Sequence, residues 1–263
     1  MAGWRDQLDE LHAGRPWFEP WQDAGCRVEH GLDSGESLHD ALNHQRPAGV
    51  TFVPPGELPP GVAYEQFIFQ QARCPTRDCL HDFFNGLAWL VMPQAKRQLN
   101  RVQAAQIAER GVEPQRGLVR DAATLFDENG AVLQAPDALW QALQERDWRR
   151  LFVELRPLWA QARLVVFGHA LLEKLVHPRK ALTAHVWWHR YPGGDLAGVD
   201  TWLALQLTAD RLADKSFLPL PVLGVPGWWP ENGNFSFYDD PQVFRTAGRQ
   251  ESTTTTPSAA SRP

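Results

Sequence analysis

Four side chains in this 263-residue chain combine residue type and spacing in a way that suits acid–base or metal chemistry: His81, Asp82, His169 and Glu173. His169 and Glu173 are four residues apart, so on a helix they stack on one face, one turn from each other. They sit in an apolar run, residues 164–176, that polar side chains interrupt only at His169, Glu173 and Lys174. The run reads as a buried helix. Imidazole and carboxylate are costly in such a place unless something meets them. The stretch His81-Asp82-Phe83-Phe84-Asn85 supplies the partners, with His81 and Asn85 again on one helical face.

Three readings of this polar centre stand side by side. In the first, His81, Asp82, His169 and Glu173 ligate one ion from facing helices, a common way to build a metal centre. Mixed imidazole and carboxylate donors suit zinc, manganese or iron, so the implied cofactor is a divalent transition metal. Such an ion activates water for hydrolysis. In the second, a carboxylate bonded to a histidine acts as a metal-free acid–base pair. Arg77, Arg120 or Lys174 would then hold an anionic substrate, with Asn85 beside it and Trp228 and Trp229 as an apolar wall. In the third, the same residues are a satisfied hydrogen-bond network that fixes helix packing. The function classes are therefore a metal-dependent hydrolase-like enzyme, a small-molecule or protein-binding module, and a structural protein. The spacing is not the two-histidine pattern of a zinc peptidase, and no phosphate loop or nucleophile elbow names a reaction.

The elements that must position these residues read as mainly helical. Helices are expected over residues 79–91, with Thr76 or Asp78 as cap, and over 94–110, closed by Gly111. Others are expected over 37–44 behind Ser37, over 137–144, 147–155 and 163–177, and over 200–212 behind Asp200. Residues 63–71 fit a helix or a strand, and so do residues 180–191. The Asn129-Gly130 pair between apolar pieces predicts a hairpin over 124–133, and Asp127-Glu128 reads as part of its turn. His185 is a further polar residue in apolar surroundings, as is Asp121. The expected architecture is a single α+β domain, mainly α-helical, with that small hairpin and Pro/Trp-rich irregular arms. An irregular arm spans 1–62, the helical core 63–246, and a Thr/Ser/Ala/Pro-rich disordered tail 247–263.

Composition narrows the partners. The chain is 43% hydrophobic and carries a net charge of -5, which suits a globular body and argues against a nucleic-acid binder. No apolar run reaches the ~18 residues of a membrane span. Cys26, Cys74 and Cys79 make an odd set, which suggests reduced thiols. Residues 1–10 are polar, without a signal-peptide core, so a cytoplasmic location is expected.

Several separate motifs carry a resemblance. They are Pro75-Thr76-Arg77-Asp78 with His81-Asp82-Phe83-Phe84-Asn85-Gly86-Leu87, then Pro93 with Lys96, Leu99 and Asn100. They continue through Arg120-Asp121, Thr124-Leu125-Phe126-Asp127-Glu128, Phe167-Gly168-His169-Ala170-Leu171-Leu172-Glu173-Lys174 and the Leu220–Trp228 stretch. In this order they resemble a proteobacterial family, domain of unknown function 3025, over roughly residues 17–245. The resemblance implies a bacterial soluble protein and attaches no activity to it. Gln103 stands where the family pattern often has His, so no ligand role carries over to that position.

Overall fold

The computed structural model describes residues 3–111, 117–190 and 194–246. The tail from residue 247 lies outside these, as do Pro192 and Gly193 of the turn that Pro192-Gly193-Gly194 predicts. The N-terminal aromatics go into the core: Trp17, Phe18 and Trp21 are fully buried, and Phe18 stacks on Phe84 with ring centroids 5.7 Å apart. After a 3-10 segment at Arg5–His12 comes α1 (Gln22–Asp33), which buries Ala24, Val28 and Leu32. This helix corrects the expectation of an irregular arm. The four-residue spacing of its buried side chains outweighs the glycines that weaken its propensity. Helix α2 (Leu38–His44) starts as expected at Ser37, whose hydroxyl accepts from the Asp40 amide at 3.3 Å.

Strand β1 (Thr51–Val53), helix α3 (Tyr64–Gln71) and strand β2 (Arg73–Pro75) follow, with β1 and β2 paired in parallel. Helix α4 (Leu80–Val91) is apolar on nearly every face and is buried almost throughout. Helix α5 (Pro93–Arg110) opens on a proline whose missing N–H costs nothing there. It closes at Gly111, whose φ of 74° suits a residue without Cβ. Helix α6 (Leu118–Asn129) then runs directly into strand β3 (Gly130–Gln134).

The second half alternates helices and strands: α7 (Asp137–Gln144), a π-helical turn at Arg150–Glu154, β4 (Arg163–Val166), α8 (His169–Lys174), β5 (Thr183–His189), α9 (Leu196–Gln206), α10 (Ala209–Ala213) and β6 (Leu218–Pro221). The four strands order as β4-β3-β5-β6. Strand β3 is antiparallel to β4 and parallel to β5, and β6 is antiparallel to β5. The whole is mainly α-helical with short strands, built on one continuous core. No helix among the described residues is long and apolar enough to cross a membrane.

Three further sequence expectations are corrected. Asn129-Gly130 is a helix-to-strand junction and not a hairpin, because Ala122, Ala123 and Phe126 follow helical spacing before the fully buried β3 begins. The apolar run 164–176 is a strand, a turn and a short helix. A buried strand and a buried helix look alike in such a run. Asp200 lies within α9 and caps α5 instead, accepting from the Gln94 and Ala95 amides at 3.0 and 2.7 Å. Residues 180–191, open at the sequence level, contain the strand β5.

Candidate metal centre

The site begins with a backbone meeting. The amides of Phe167 and Gly168 both donate to the Gly130 carbonyl, at 2.9 and 2.8 Å. This presses the turn between β4 and α8 onto the junction between α6 and β3. Gly168 is needed there: a Cβ would lie 2.5 Å from both the Glu128 carbonyl oxygen and the Asn129 amide nitrogen. His169 opens α8 and so sits beside Asp127 and Glu128 in the last turn of α6. Helix α4 packs on α8 and brings His81 to the same point.

The two imidazoles face each other edge to face, with Nε2 of His81 and Nε2 of His169 3.1 Å apart. A Glu128 carboxylate oxygen is 3.8 Å from His169 Nε2. The donor atoms of His81, Glu128 and His169 all lie within 4.8 Å of one another. On its other side His81 Nδ1 donates to Glu173 Oε2 at 2.8 Å, which leaves the lone pair of a neutral His81 on Nε2, toward His169. His169 Nδ1 is buried without a hydrogen-bond partner, 3.9 Å from Asp127 Oδ2.

Electrostatics choose the tautomer of His169. Burial holds it neutral, with its pKa down to about 3. Burial works against the Asp127 carboxylate, but the Lys96 ammonium beside it outweighs that and holds Asp127 below its ordinary range. A proton on His169 Nδ1 faces that carboxylate, whereas a lone pair there would be repelled by it. The favoured tautomer therefore turns the Nε2 lone pair of His169 onto that of His81. Two lone pairs at this distance repel unless a proton or a metal cation lies between them.

Around the pair runs a polar chain. Lys96, with only 5% of its side chain exposed, donates to Asp127 Oδ1 at 2.6 Å and to Asn85 Oδ1 at 2.9 Å. Asn85 donates to the Tyr64 hydroxyl at 3.2 Å, and that hydroxyl contacts Cys74 Sγ at 3.1 Å. Burial pushes the Cys74 thiol up to about 11. Tyr64, Asn85, Lys96 and Asp127, together with the histidine pair, line a cavity of about 430 Å³. Its apolar wall comes from Leu58, Ile68, Trp89 and Leu99, and Gln103 also faces it, its Oε1 buried and unbonded.

The structure brings His81 and His169 together and places Glu173 one bond behind His81. Asp82 lines the same cavity but turns away from the imidazoles. Its two oxygens take three bonds from Arg77: backbone N at 2.6 Å, Nε at 3.0 Å and Nη2 at 2.9 Å. A carboxylate so occupied is not placed to share an ion with the histidines. Asn85 and Arg77 line the cavity, while Arg120, Lys174 and Trp228 do not. Arg120 is buried in α6 with its Nε unbonded, Lys174 donates to Asn129 at 3.1 Å, and Trp228 packs on Trp17. His185 stands on β5 against Phe217, and Asp121 is exposed.

Sequence reasoning assigned Asp127 and Glu128 to a turn. The signal that would have found them is the helical spacing of Ala122, Ala123 and Phe126, which carries α6 through both acids.

The chain belongs to the family described as Protein of unknown function (DUF3025), which matches residues 50–248. That span holds every residue of the cavity and of the histidine pair. No curated protein and no solved structure matches the chain.

Proposed function

We propose that this member of the family is a metal-dependent hydrolase acting on a small molecule that enters the cavity beside His81 and His169. The observation that carries the reading is the convergence of His81 Nε2, His169 Nε2 and a Glu128 carboxylate oxygen on the wall of that cavity. Two nitrogens on one tetrahedral ion, each at about 2.0–2.1 Å, stand about 3.3 Å apart. The observed 3.1 Å is close to that. Glu128 thus takes the ligand place that sequence reasoning gave to Asp82 and Glu173.

Three protein donors leave a fourth position open to water or substrate, the pattern of catalytic sites. An ion held this way lowers the pKa of its water to about 7. Glu173 fixes the tautomer and ring orientation of His81, the usual work of a carboxylate behind a ligating histidine. Asp127 holds His169 with Nδ1 protonated and accepts a hydrogen bond from Lys96. Lys96 uses two of its three N–H groups on Asp127 and Asn85. The third is available to a substrate oxygen on which negative charge develops.

The apolar wall of Leu58, Ile68, Trp89 and Leu99 supports a second reading, a small-molecule binding module without an ion. The three free thiols support a reducing compartment such as the bacterial cytoplasm. Metal analysis of the purified chain, followed by a panel of ester, amide and phosphoester substrates, separates the two readings. Metal-dependent turnover lost in His169→Ala and Glu128→Ala supports the hydrolase. Metal-free protein that still binds small molecules in the cavity supports the module.

A further inference from the structure

A second cluster stands apart from the cavity, in the part of the chain before residue 50 that lies outside the family match. Cys26 and Glu29 are three residues apart on α1 and share a face. His12, at the end of the 3-10 segment Arg5–His12, reaches over to both. Its Nε2 is 2.7 Å from Glu29 Oε2, and its Nδ1 is 3.9 Å from Cys26 Sγ. One donor atom from each of the three residues falls within 4.8 Å of the others.

Two details go beyond a surface ion pair. The second oxygen of Glu29, Oε1, is buried with no hydrogen-bond partner, in a side chain only 14% exposed. A buried carboxylate oxygen without a donor is unfavourable and calls for a further partner. A thiol also completes the third corner, where a histidine–carboxylate pair alone needs none.

We propose that His12, Cys26 and Glu29 form a second metal site, selective for zinc or a similarly soft divalent ion, with water as the remaining ligand. Thiolate, imidazole and carboxylate are all zinc donors, and a thiolate selects against magnesium and calcium. On binding, the Cys26 thiol releases its proton to solvent as the sulfur–metal bond forms. The His12–Glu29 contact must open by roughly half an ångström, toward the ~3.3 Å separation of two ligands on one ion. His12 has that freedom, with 46% of its side chain exposed. The bound ion clips the N-terminal 3-10 segment to α1.

Cobalt(II) titration of the full chain tests this. The expected result is a thiolate-to-cobalt charge-transfer band that saturates at one equivalent in His169→Ala, where the cavity pair takes no ion. It should vanish in both Cys26→Ser and His12→Ala and persist in Cys79→Ser and His169→Ala. A missing band in the parent, or a band that survives Cys26→Ser, overturns the proposal. The histidine pair in the cavity offers no sulfur donor. Loss of the hydrolase reading would therefore leave this band in place, and loss of this band would leave the cavity untouched.

Discussion

Nε2 of His81 and Nε2 of His169 face each other at 3.1 Å, with Glu173 behind the first ring and Asp127 beside the second. Each carboxylate favours a proton on the nitrogen nearest to it. With both rings neutral, the two remaining lone pairs point into the same gap. The metal reading and the role of Glu128 follow from that gap.

Glu173→Gln keeps a hydrogen-bonding group behind His81 but removes the charge. The ion should stay bound with affinity lowered by about 10–100-fold, the usual effect of losing a partner behind a ligating histidine. Competition with a chelator measures it. Loss as complete as in His81→Ala would make Glu173 a ligand, against the geometry.

Asp82→Asn should leave metal affinity within a few-fold of the parent, because Asp82 is engaged by Arg77. The same chelator competition applies. Its effect should instead fall on the turn that its carboxylate holds, as faster amide exchange at Arg77, whose backbone N–H it accepts.

Lys96→Met leaves Asp127 without its cation in a largely buried place; the two side chains are 5% and 21% exposed. Removing one partner of a buried pair costs about 3 kcal/mol or more. Urea denaturation should show that loss, and adding Asp127→Asn should restore part of it. Equal stabilities in the parent and Lys96→Met would mean that the pair is not coupled.

Gly168→Ala places a methyl group against the Glu128 carbonyl and the Asn129 amide. Those are backbone atoms and cannot swing aside. The expected loss is about 1–3 kcal/mol of stability, typical of overpacking. Metal affinity should fall with it, since the β4–α8 turn sets the distance from His169 to Glu128.

Cys74 makes a pH prediction. Its thiol, fully buried, titrates at about 11 against an ordinary 9.0. The native chain thus holds a proton that the unfolded chain releases above pH 9.0. The associated stability is fully present below that pH and is lost as pH rises to about 11. Urea midpoints measured through this window should fall less steeply for Cys74→Ala than for the parent. Parallel slopes would contradict the burial effect.

The helical body was legible in the chain. Ser37, Gly111 and the apolar spacing of residues 79–91 announce α2, α5 and α4, and all three form there. The His81–His169 meeting was legible as well, since two isolated histidines in apolar surroundings need company. The third corner was not. Asn129-Gly130 mimics a hairpin turn, and Glu128 reads as part of it until the helix is known to run through it. Asp82 misled for a related reason. Its spacing beside His81 suits a ligand, while its engagement by Arg77 depends on the turn before α4, where Thr76 bonds to Cys74 and Asp78 is drawn off to cap α2. Local spacing shows which residues share a face, not which neighbour claims each carboxylate.

The most direct test is metal content, measured on chain purified without a His-tag and carrying Cys26→Ser, so that the N-terminal cluster does not contribute. The expected result is one equivalent of a divalent transition metal, lost in His81→Ala, His169→Ala and Glu128→Ala and kept in Asp82→Asn. A chain that binds no such metal, or binds it equally in His169→Ala, would contradict the account.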